Sequence, residues 1–151
     1  VVKVQNHLPG SKLELRSIGM YWIFPHPRPH NPTQLERMGG ILDLQGKPPP
    51  TWERTFPNYR HIRLRGGPTS TIRESEVRKC IQFMKRFHMM HPGKQLMVHC
   101  THGLNRTGFI VCRYLMQEEN YSPQDAMAFF KVLHPPGIQR DHLIKHLLRK
   151  K

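Results

Sequence analysis

Prolines limit what the first third of the chain can form. They fall into two groups, one within 25–32 and one at 48–50. A proline inside a helix removes a backbone hydrogen bond and clashes with the preceding turn, so this region excludes helix. Apolar runs of strand length lie at 18–24, 40–44 and 61–65. The region therefore predicts strands joined by loops.

The pattern changes at Thr71, where apolar residues begin to recur every three to four positions. This spacing predicts a helix with one buried face. The helix is predicted to end at the His-Pro-Gly segment 91–93. An uncharged run at 96–99 predicts a short buried strand. Further helices are predicted at 106–119, 123–134 and 139–149. Together these elements predict an α/β domain with a central, mostly parallel sheet flanked by helices.

The length of 151 residues suits a single domain. We divide it into a strand-and-loop part at 1–70 and a helix–strand–loop–helix part at 71–151. No apolar run approaches the ~18 residues of a membrane span. The 3 cysteines are too few for a disulfide scaffold. Membrane proteins and small disulfide-rich secreted proteins are therefore excluded.

Net charge gives the first indication of function. The chain has 24 Lys and Arg against 10 Asp and Glu, a formal net charge of +14. Such an excess favours polyanionic partners, namely nucleic acid, an anionic membrane face or phosphorylated substrates. A solvated basic surface that aids solubility is the alternative, and charge alone does not separate the two.

The segment 96–108 predicts a specific chemistry. A buried strand leads to Cys100, and after five further residues Arg106 opens a helix, followed by Thr107. Backbone N–H groups in such a loop and the helix N-terminus form an anion site, which favours the thiolate of Cys100 and binds phosphoryl oxygens. Arg106 is suited to clamp two of those oxygens, and Thr107 to donate its hydroxyl to the sulfur. We predict that Cys100 is a catalytic nucleophile.

Cys100 has two alternative interpretations. A cysteine by itself after a strand is more often a small buried residue than a nucleophile. The fixed spacing of Cys100, Arg106 and Gly108 makes a chance match rare, which favours catalysis. A basic module that grips 5′-phosphorylated RNA without hydrolysing it is less well supported, because a loop that only binds needs no nucleophile.

The string from His99 to Gly108 resembles the signature of the cysteine-dependent tyrosine and dual-specificity phosphatases. Its fuller form resembles the RNA 5′-triphosphatase branch: the triphosphatase domain of animal mRNA capping enzymes, the baculovirus phosphatase and the RNA/RNP-complex dual-specificity phosphatase. The similarity continues at 109–116 and 135–140, and upstream at 41–44. It implies the cysteine-phosphatase fold and a two-step, metal-independent mechanism through a cysteinyl-phosphate, without a cofactor.

The resemblance also implies which residues bind phosphate. They are Thr101, His102, Gly103, Leu104, Asn105, Arg106, Thr107 and Arg140. His102 and Asn105 could instead hold the loop in shape by hydrogen bonds. Arg140 matches an arginine of the triphosphatase branch and could hold a second phosphate, with a plain surface arginine as the alternative. The histidines show no ligand spacing backed by cysteine or carboxylate, so no metal site is predicted.

The general acid of tyrosine-type phosphatases has no clear counterpart here. That acid is an aspartate on a loop before the cysteine, and the corresponding segment 65–71 contains no carboxylate. Glu74 and Glu76 follow it and are interpreted as solvated acids at a helix start. Asp43 ends an apolar strand and is the remaining catalytic candidate; its alternative roles are to cap a loop N–H or to pair with an arginine. A phenolate needs a proton to leave whereas a terminal diphosphate does not, so the missing acid favours anhydride hydrolysis.

These features predict a polynucleotide 5′-phosphatase that removes the γ-phosphate from RNA 5′ ends, and the sequence leaves open whether hydrolysis continues to the β-phosphate. The alternative is a dual-specificity protein phosphatase whose partners are phosphoproteins. We expect a monomer without a membrane partner, located in the nucleus or in the interior of a virus-infected cell. His61, Arg63 and Arg65 share one strand face, which could line an RNA path or be a solvated edge.

Overall fold

Parallel strands form the centre of the fold. The computed structural model describes residues 21–65, 67, 71–102 and 104–149. They form one four-stranded sheet in the order β1-β4-β2-β3, from β1 (Ile23–His26), β2 (Met38–Asp43), β3 (Tyr59–His61) and β4 (Gln95–His99). Every pairing is parallel, which confirms the predicted type of sheet. All four strands therefore end at the same edge, which is where such sheets bind ligands.

Helices pack around this sheet. They are α1 (Thr51–Arg54), α2 (Glu74–Met90), α3 (Asn105–Glu118), α4 (Pro123–Leu133) and α5 (Asp141–Arg149). The last four agree with the predicted helices to within one turn, because each presents a regular apolar stripe to the core. None of the helices in the described ranges is both long and apolar enough to cross a bilayer.

Two short helices show that the prolines do not exclude helix from the first third, so that prediction was wrong. A 3₁₀ helix at Pro32–Leu35 begins with Pro32, and α1 has Pro50 at its N-cap. The N–H groups in the first turn of a helix have no partner within the helix, so the missing N–H of proline costs nothing there. The fixed φ of proline also suits a helix start. These prolines therefore begin helices instead of preventing them.

Two of the predicted strands have different bounds in the structure. The run at 18–24 contributes β1 from Ile23 onwards, and its residues 18–20 lie outside the described residues. The run at 61–65 overlaps β3 only at its start. The chain nevertheless continues along β2, because the N–H groups of Ile62 and Leu64 donate to the Asp43 and Leu44 carbonyls at 2.9 and 3.0 Å.

The sheet separates two apolar clusters. The larger cluster packs α2, α3, α4 and α5 against one face and includes Leu42 and Val98. The smaller cluster lies on the other face around Ile41 and Met97. Because successive strand residues point to opposite faces, the side chains that follow Ile41 and Met97 by two positions, Asp43 and His99, point to the smaller cluster. That is the side on which α1 lies.

Candidate active site

Cys100 directly follows β4 at the carboxyl edge of the sheet. Its side chain is 3% exposed, and Thr107 Oγ1 donates a hydrogen bond to its Sγ at 3.1 Å. Neighbouring segments hold the backbone on both sides of the cysteine. The Leu44 N–H donates to the His99 carbonyl at 2.9 Å, and the Arg28 N–H donates to the Thr101 carbonyl at 3.2 Å. The sulfur is therefore fixed beside the first turn of α3.

The other two cysteines are buried in the core. Burial raises the pKa of the Cys80 thiol to about 12 and also raises the pKa of the Cys112 thiol. Both thiols stay protonated at neutral pH and are poor nucleophiles. Cys100 differs from both in its place, because it lies at the carboxyl edge of the sheet and its sulfur accepts a hydrogen bond from Thr107.

Arg106 lies in the first turn of α3 and spans the loop that follows Cys100. It is half-buried, and its Nη2 donates a hydrogen bond to Thr101 Oγ1 at 3.2 Å. Of the other predicted loop residues, Thr101 and His102 are exposed and Leu104 is half-buried, while Gly103 lies outside the described residues. The guanidinium is therefore available at the mouth of the loop.

Asn105 connects this loop to the segment between α4 and α5. Its Oδ1 accepts hydrogen bonds from the backbone N–H groups of Gln139 and Arg140, both at 2.9 Å. Arg140 is thereby fixed next to the start of α3, at the same edge of the sheet as Cys100. The oxygen of Asn105 is used within the protein, as expected of a side chain that holds the loop in shape.

Gly108 allows the same segment to pack closely on α3. A Cβ at this position would lie 2.5 Å from Ile138 Cγ1 and 2.6 Å from Phe130 Cε2. We expect Gly108→Ala to destabilise the protein by about 1–3 kcal/mol, because the core must shift to admit the methyl group. Urea unfolding measures this loss.

The matched control for that substitution is Gly46→Ala, where the flexible Arg63 side chain is the neighbour, at 3.2 Å. We expect the control to unfold close to the wild-type midpoint. Equal midpoints for Gly108→Ala and wild type would contradict the close packing of Ile138 on α3.

A buried ionisable cluster lies beneath the loop. Asp43, Glu53 and His99 are each 0% exposed. His99 Nε2 contacts Glu53 Oε2, and His99 Nδ1 lies 3.9 Å from Asp43 Oδ1. Tyr59 donates its hydroxyl to Asp43 Oδ2 at 2.7 Å, and burial together with this hydrogen bond raises the pKa of Tyr59, which keeps it a donor. The cluster fixes the orientation of the residue that precedes Cys100.

The burial of Asp43 argues against its predicted role as a catalytic acid. Its two oxygens accept hydrogen bonds from the Tyr59 hydroxyl and, at 3.0 Å, from the Gln45 N–H. A proton donor must reach the leaving group, and a fully buried carboxyl engaged on both oxygens does not. Asp43 instead has the alternative role, because its carboxylate caps the N–H of Gln45.

The two glutamates at the start of α2 are not the solvated acids that the sequence predicted. Glu74 forms a bidentate ion pair with Arg113, at 2.8 and 3.0 Å. Glu76 accepts from the Arg65 N–H at 3.0 Å and lies 3.3 Å from Arg65 Nε. The interpretation was wrong because both partners come from other parts of the chain.

His134 lies close to His26 and to His102, which belongs to the loop that follows Cys100. His134 hydrogen-bonds to the backbone of His102, and its pKa is lowered by burial and by the nearby His26. A lowered pKa means that the neutral ring is favoured in the folded state. Protonation of His134 therefore costs stability as the pH falls through this folded-state pKa.

The buried cluster is also the group of described residues that could hold a metal ion, since donor atoms of Asp43, Glu53 and His99 all lie within 4.8 Å of one another. The expectation of no metal site rested on sequence spacing, which missed both carboxylates because they come from β2 and α1. The direct contact between His99 and Glu53 already gives each of these groups a partner. Among the described residues, Glu53 Oε1 and His99 Nδ1 are buried in this cluster without a hydrogen-bond partner.

Known families and proteins resemble this chain. Residues 41–151 match the family described as "Dual specificity phosphatase, catalytic domain". The mRNA-capping enzyme of Mus musculus is 39% identical over 83 residues, which are 55% of this chain and 13% of that protein. The RNA/RNP complex-1-interacting phosphatase homolog of Caenorhabditis elegans is 42% identical over 77 residues, 50% of this chain and 33% of that protein.

A viral protein and a solved structure add to these similarities. The tyrosine-protein phosphatase of Autographa californica nuclear polyhedrosis virus is 43% identical over 90 residues, 60% of this chain and 52% of that protein. The crystal structure of DUSP15 superposes with a TM-score of 0.65 at 22% identity and covers 78% of this chain and 73% of that one, a likeness of fold alone. The matches span between 13% and 52% of the lengths of the three relatives.

Proposed function

Because the chain belongs to the family of dual-specificity phosphatase catalytic domains, we propose that it is a polynucleotide 5′-phosphatase that acts on triphosphate-ended RNA. In the first step Cys100 Sγ attacks the γ-phosphorus, and the bond to the β,γ-bridging oxygen breaks, so that RNA leaves as a diphosphate-ended anion. In the second step water attacks the cysteinyl-phosphate and releases inorganic phosphate and the thiolate. Arg106 clamps two phosphoryl oxygens in both steps.

The burial or pairing of the candidate carboxylates is the observation that carries this proposal. Among the described residues, Asp43 and Glu53 are fully buried beneath the loop. Glu74 and Glu76 are engaged by Arg113 and Arg65. An aryl or alkyl leaving group needs a proton, whereas a diphosphate leaves as a stable anion. Cleavage of a phosphoanhydride therefore suits this site best.

Charge and similarity support the same substrate. The net charge of +14 favours a polyanion. Two of the relatives are named as an mRNA-capping enzyme and an RNA/RNP complex-1-interacting phosphatase. Arg140, fixed beside α3 by Asn105, is the group that we assign to the β-phosphate. This function would give the protein RNA 5′ ends as partners and a site of action in the nucleus or in an infected cell.

A direct comparison of substrates tests the proposal. We expect phosphate release from triphosphate-ended RNA to exceed release from phosphotyrosine and phosphothreonine peptides at physiological salt. RNA labelled separately at each phosphate then reports whether hydrolysis stops at the diphosphate. The similarity to a baculovirus tyrosine-protein phosphatase favours the second candidate, a protein phosphatase. Clear preference for the peptides would select that candidate instead.

Asp43→Asn tests whether a general acid protonates the leaving group. We expect it to lower turnover of triphosphate-ended RNA by less than the ~10²-fold typical of losing a general acid, because Asp43 only holds Tyr59 and the Gln45 N–H. Rates on RNA and on an aryl phosphate, measured across about pH 5 to pH 8, provide the check. Glu74→Gln, at the carboxylate paired with Arg113, is the parallel variant and is expected to stay within the same limit.

An acid operates after all if Asp43→Asn costs ~10³-fold or more on RNA and removes the basic limb of the pH profile. Such a result would mean that the buried carboxyl becomes accessible in the complex, and that the leaving group is protonated.

A further inference from the structure

We infer that exposed basic side chains beside the active site bind the phosphodiester chain that follows the terminal phosphates of the RNA. They are Lys47, Arg54, His61 and Arg63, which we call the basic ridge, and all four are exposed. The inference rests on the proposed function and adds to it a surface that holds the body of the polynucleotide.

The sheet places the basic ridge next to the reactive cysteine. β3 is the edge strand, and its register sets His61 beside Asp43, which in turn lies beside His99. The chain then continues along β2, so Arg63 lies at the carboxyl edge. It is two strand spacings from Cys100, or about 10 Å. A substrate that continues beyond its terminal phosphates reaches this position, whereas a single phosphoryl group does not.

Local contacts fix the members of the basic ridge to one surface. His61 Nε2 donates a hydrogen bond to the Gln45 carbonyl at 2.5 Å. Arg63 lies over the backbone of Gly46, where an added Cβ would be 3.2 Å from its Nε, and Lys47 follows directly. These residues therefore border one turn of the chain after β2.

Arg54 brings a further charge to the same face. It lies close enough to Tyr59 for its charge to lower the pKa of that phenol, although burial and Asp43 have the larger, opposite effect. Tyr59 in turn lies two positions before His61 and so points to the same face of β3. Arg54 therefore extends the basic ridge from β3 to α1.

Within the described ranges, the charges of the basic ridge have no carboxylate partner, since no ion pair there includes Lys47, Arg54 or Arg63. Arg65 was predicted on the same strand face as His61 and Arg63, but it is paired with Glu76 and is therefore not part of the basic ridge. Unpaired cations along a surface bind phosphates with release of counterions, independently of sequence.

An acidic phosphopeptide is the competing partner, and the surface fits it less well. Protein partners are usually anchored by apolar side chains at the centre of an interface. The large apolar side chains that the described residues expose lie on other elements: Met89 and Met90 at the end of α2, and Leu148 on α5. The basic ridge offers charge without such an anchor, which matches a phosphodiester chain.

Substrates of different length test the inference. We compare a nucleoside triphosphate with triphosphate-ended RNA of about ten nucleotides, a length typical of single-strand binding sites. In the wild-type protein KM for the RNA should be at least tenfold lower than KM for the nucleotide, because several phosphates add ionic contacts. Equal KM values for the two substrates would overturn the inference.

Charge reversal locates the contact. Lys47→Glu/Arg63→Glu should raise KM for the RNA at least tenfold and leave kcat and KM for the nucleoside triphosphate unchanged. The salt dependence of RNA binding should become shallower by about 1.4 in log–log slope, since each of two contacts contributes about 0.7 on single strands. The matched control is Arg86→Glu/Lys94→Glu, an equal charge change at exposed sites near the opposite edge of the sheet. An equal effect of the control would mean that only net charge matters, which overturns the inference.

The same measurements separate this inference from the proposed function. If wild type hydrolyses neither the nucleotide nor the RNA, the proposed function fails, and anisotropy of a labelled RNA decides the basic ridge on its own. Loss of RNA binding in the ridge variant alone supports the inference. Loss of phosphopeptide turnover in that variant, with RNA binding intact, overturns it in favour of a protein partner.

Discussion

Cys100→Ser is expected to lower phosphate release from triphosphate-ended RNA by ~10⁴-fold or more, because a serine hydroxyl is a far weaker nucleophile than the cysteine sulfur. The loop itself should persist, since its supports are the backbone bonds from Leu44 and Arg28. Thr107 keeps a hydrogen-bond acceptor in the serine. Calorimetric titration with inorganic phosphate should therefore give nearly wild-type binding.

Two further measurements make this test decisive. A rapid acid quench of the wild type with γ-labelled RNA should leave label on the peptide that contains Cys100, and the variant should leave none. Cys112→Ala is the matched control: it removes a thiol that burial keeps protonated, and we expect turnover within tenfold of wild type. Turnover near the wild-type rate in Cys100→Ser would require a nucleophile elsewhere.

Arg106→Lys is expected to lower kcat by about 10²–10³-fold, even though it keeps the positive charge. A guanidinium presents two parallel N–H donors to two phosphoryl oxygens, whereas an ammonium contacts them as a point charge. In the structure Arg106 already spans the loop to Thr101 Oγ1. Steady-state rates on triphosphate-ended RNA measure the loss.

Arg140→Lys is the matched control for that change. Arg140 is assigned to the β-phosphate, the leaving group, whose charge is already spread over several oxygens, so we expect its substitution to lower kcat less than Arg106→Lys does. If Arg106→Lys and Arg140→Lys have equal effects on kcat, the assignment of Arg106 to the transferred phosphate is wrong.

The helices and the parallel sheet were predictable because burial gives them a repeating pattern. In α2 every buried apolar residue lies on one stripe, and β4 is short and uncharged. The match of residues 41–151 confirms the family that the Cys100 segment resembles. The short helix α1 was not predictable, because it is a single turn without an apolar repeat.

The contacts beneath the site could not be predicted from spacing. Glu53 reaches His99 only because α1 packs on the face of the sheet to which His99 points. Arg65 and Glu76 meet because the chain after β3 runs past the start of α2. In each contact the two residues lie on different elements, and the sequence does not show how the chain turns between them. The sequence therefore identifies each charged residue but not its partner. A tryptophan and a glutamate side by side at 52 and 53 were the available signal, and it is weak.

The joint made by Asn105 has a consequence for how substrate preference can change. Asn105 Oδ1 accepts both hydrogen bonds from backbone N–H groups, at residues 139 and 140. These bonds therefore do not depend on which side chains stand at the two positions. Position 140 can therefore carry a different side chain while the backbone keeps its place beside the reacting cysteine. Evolution or a designer can vary which second group is recognised and leave the bond-breaking machinery intact.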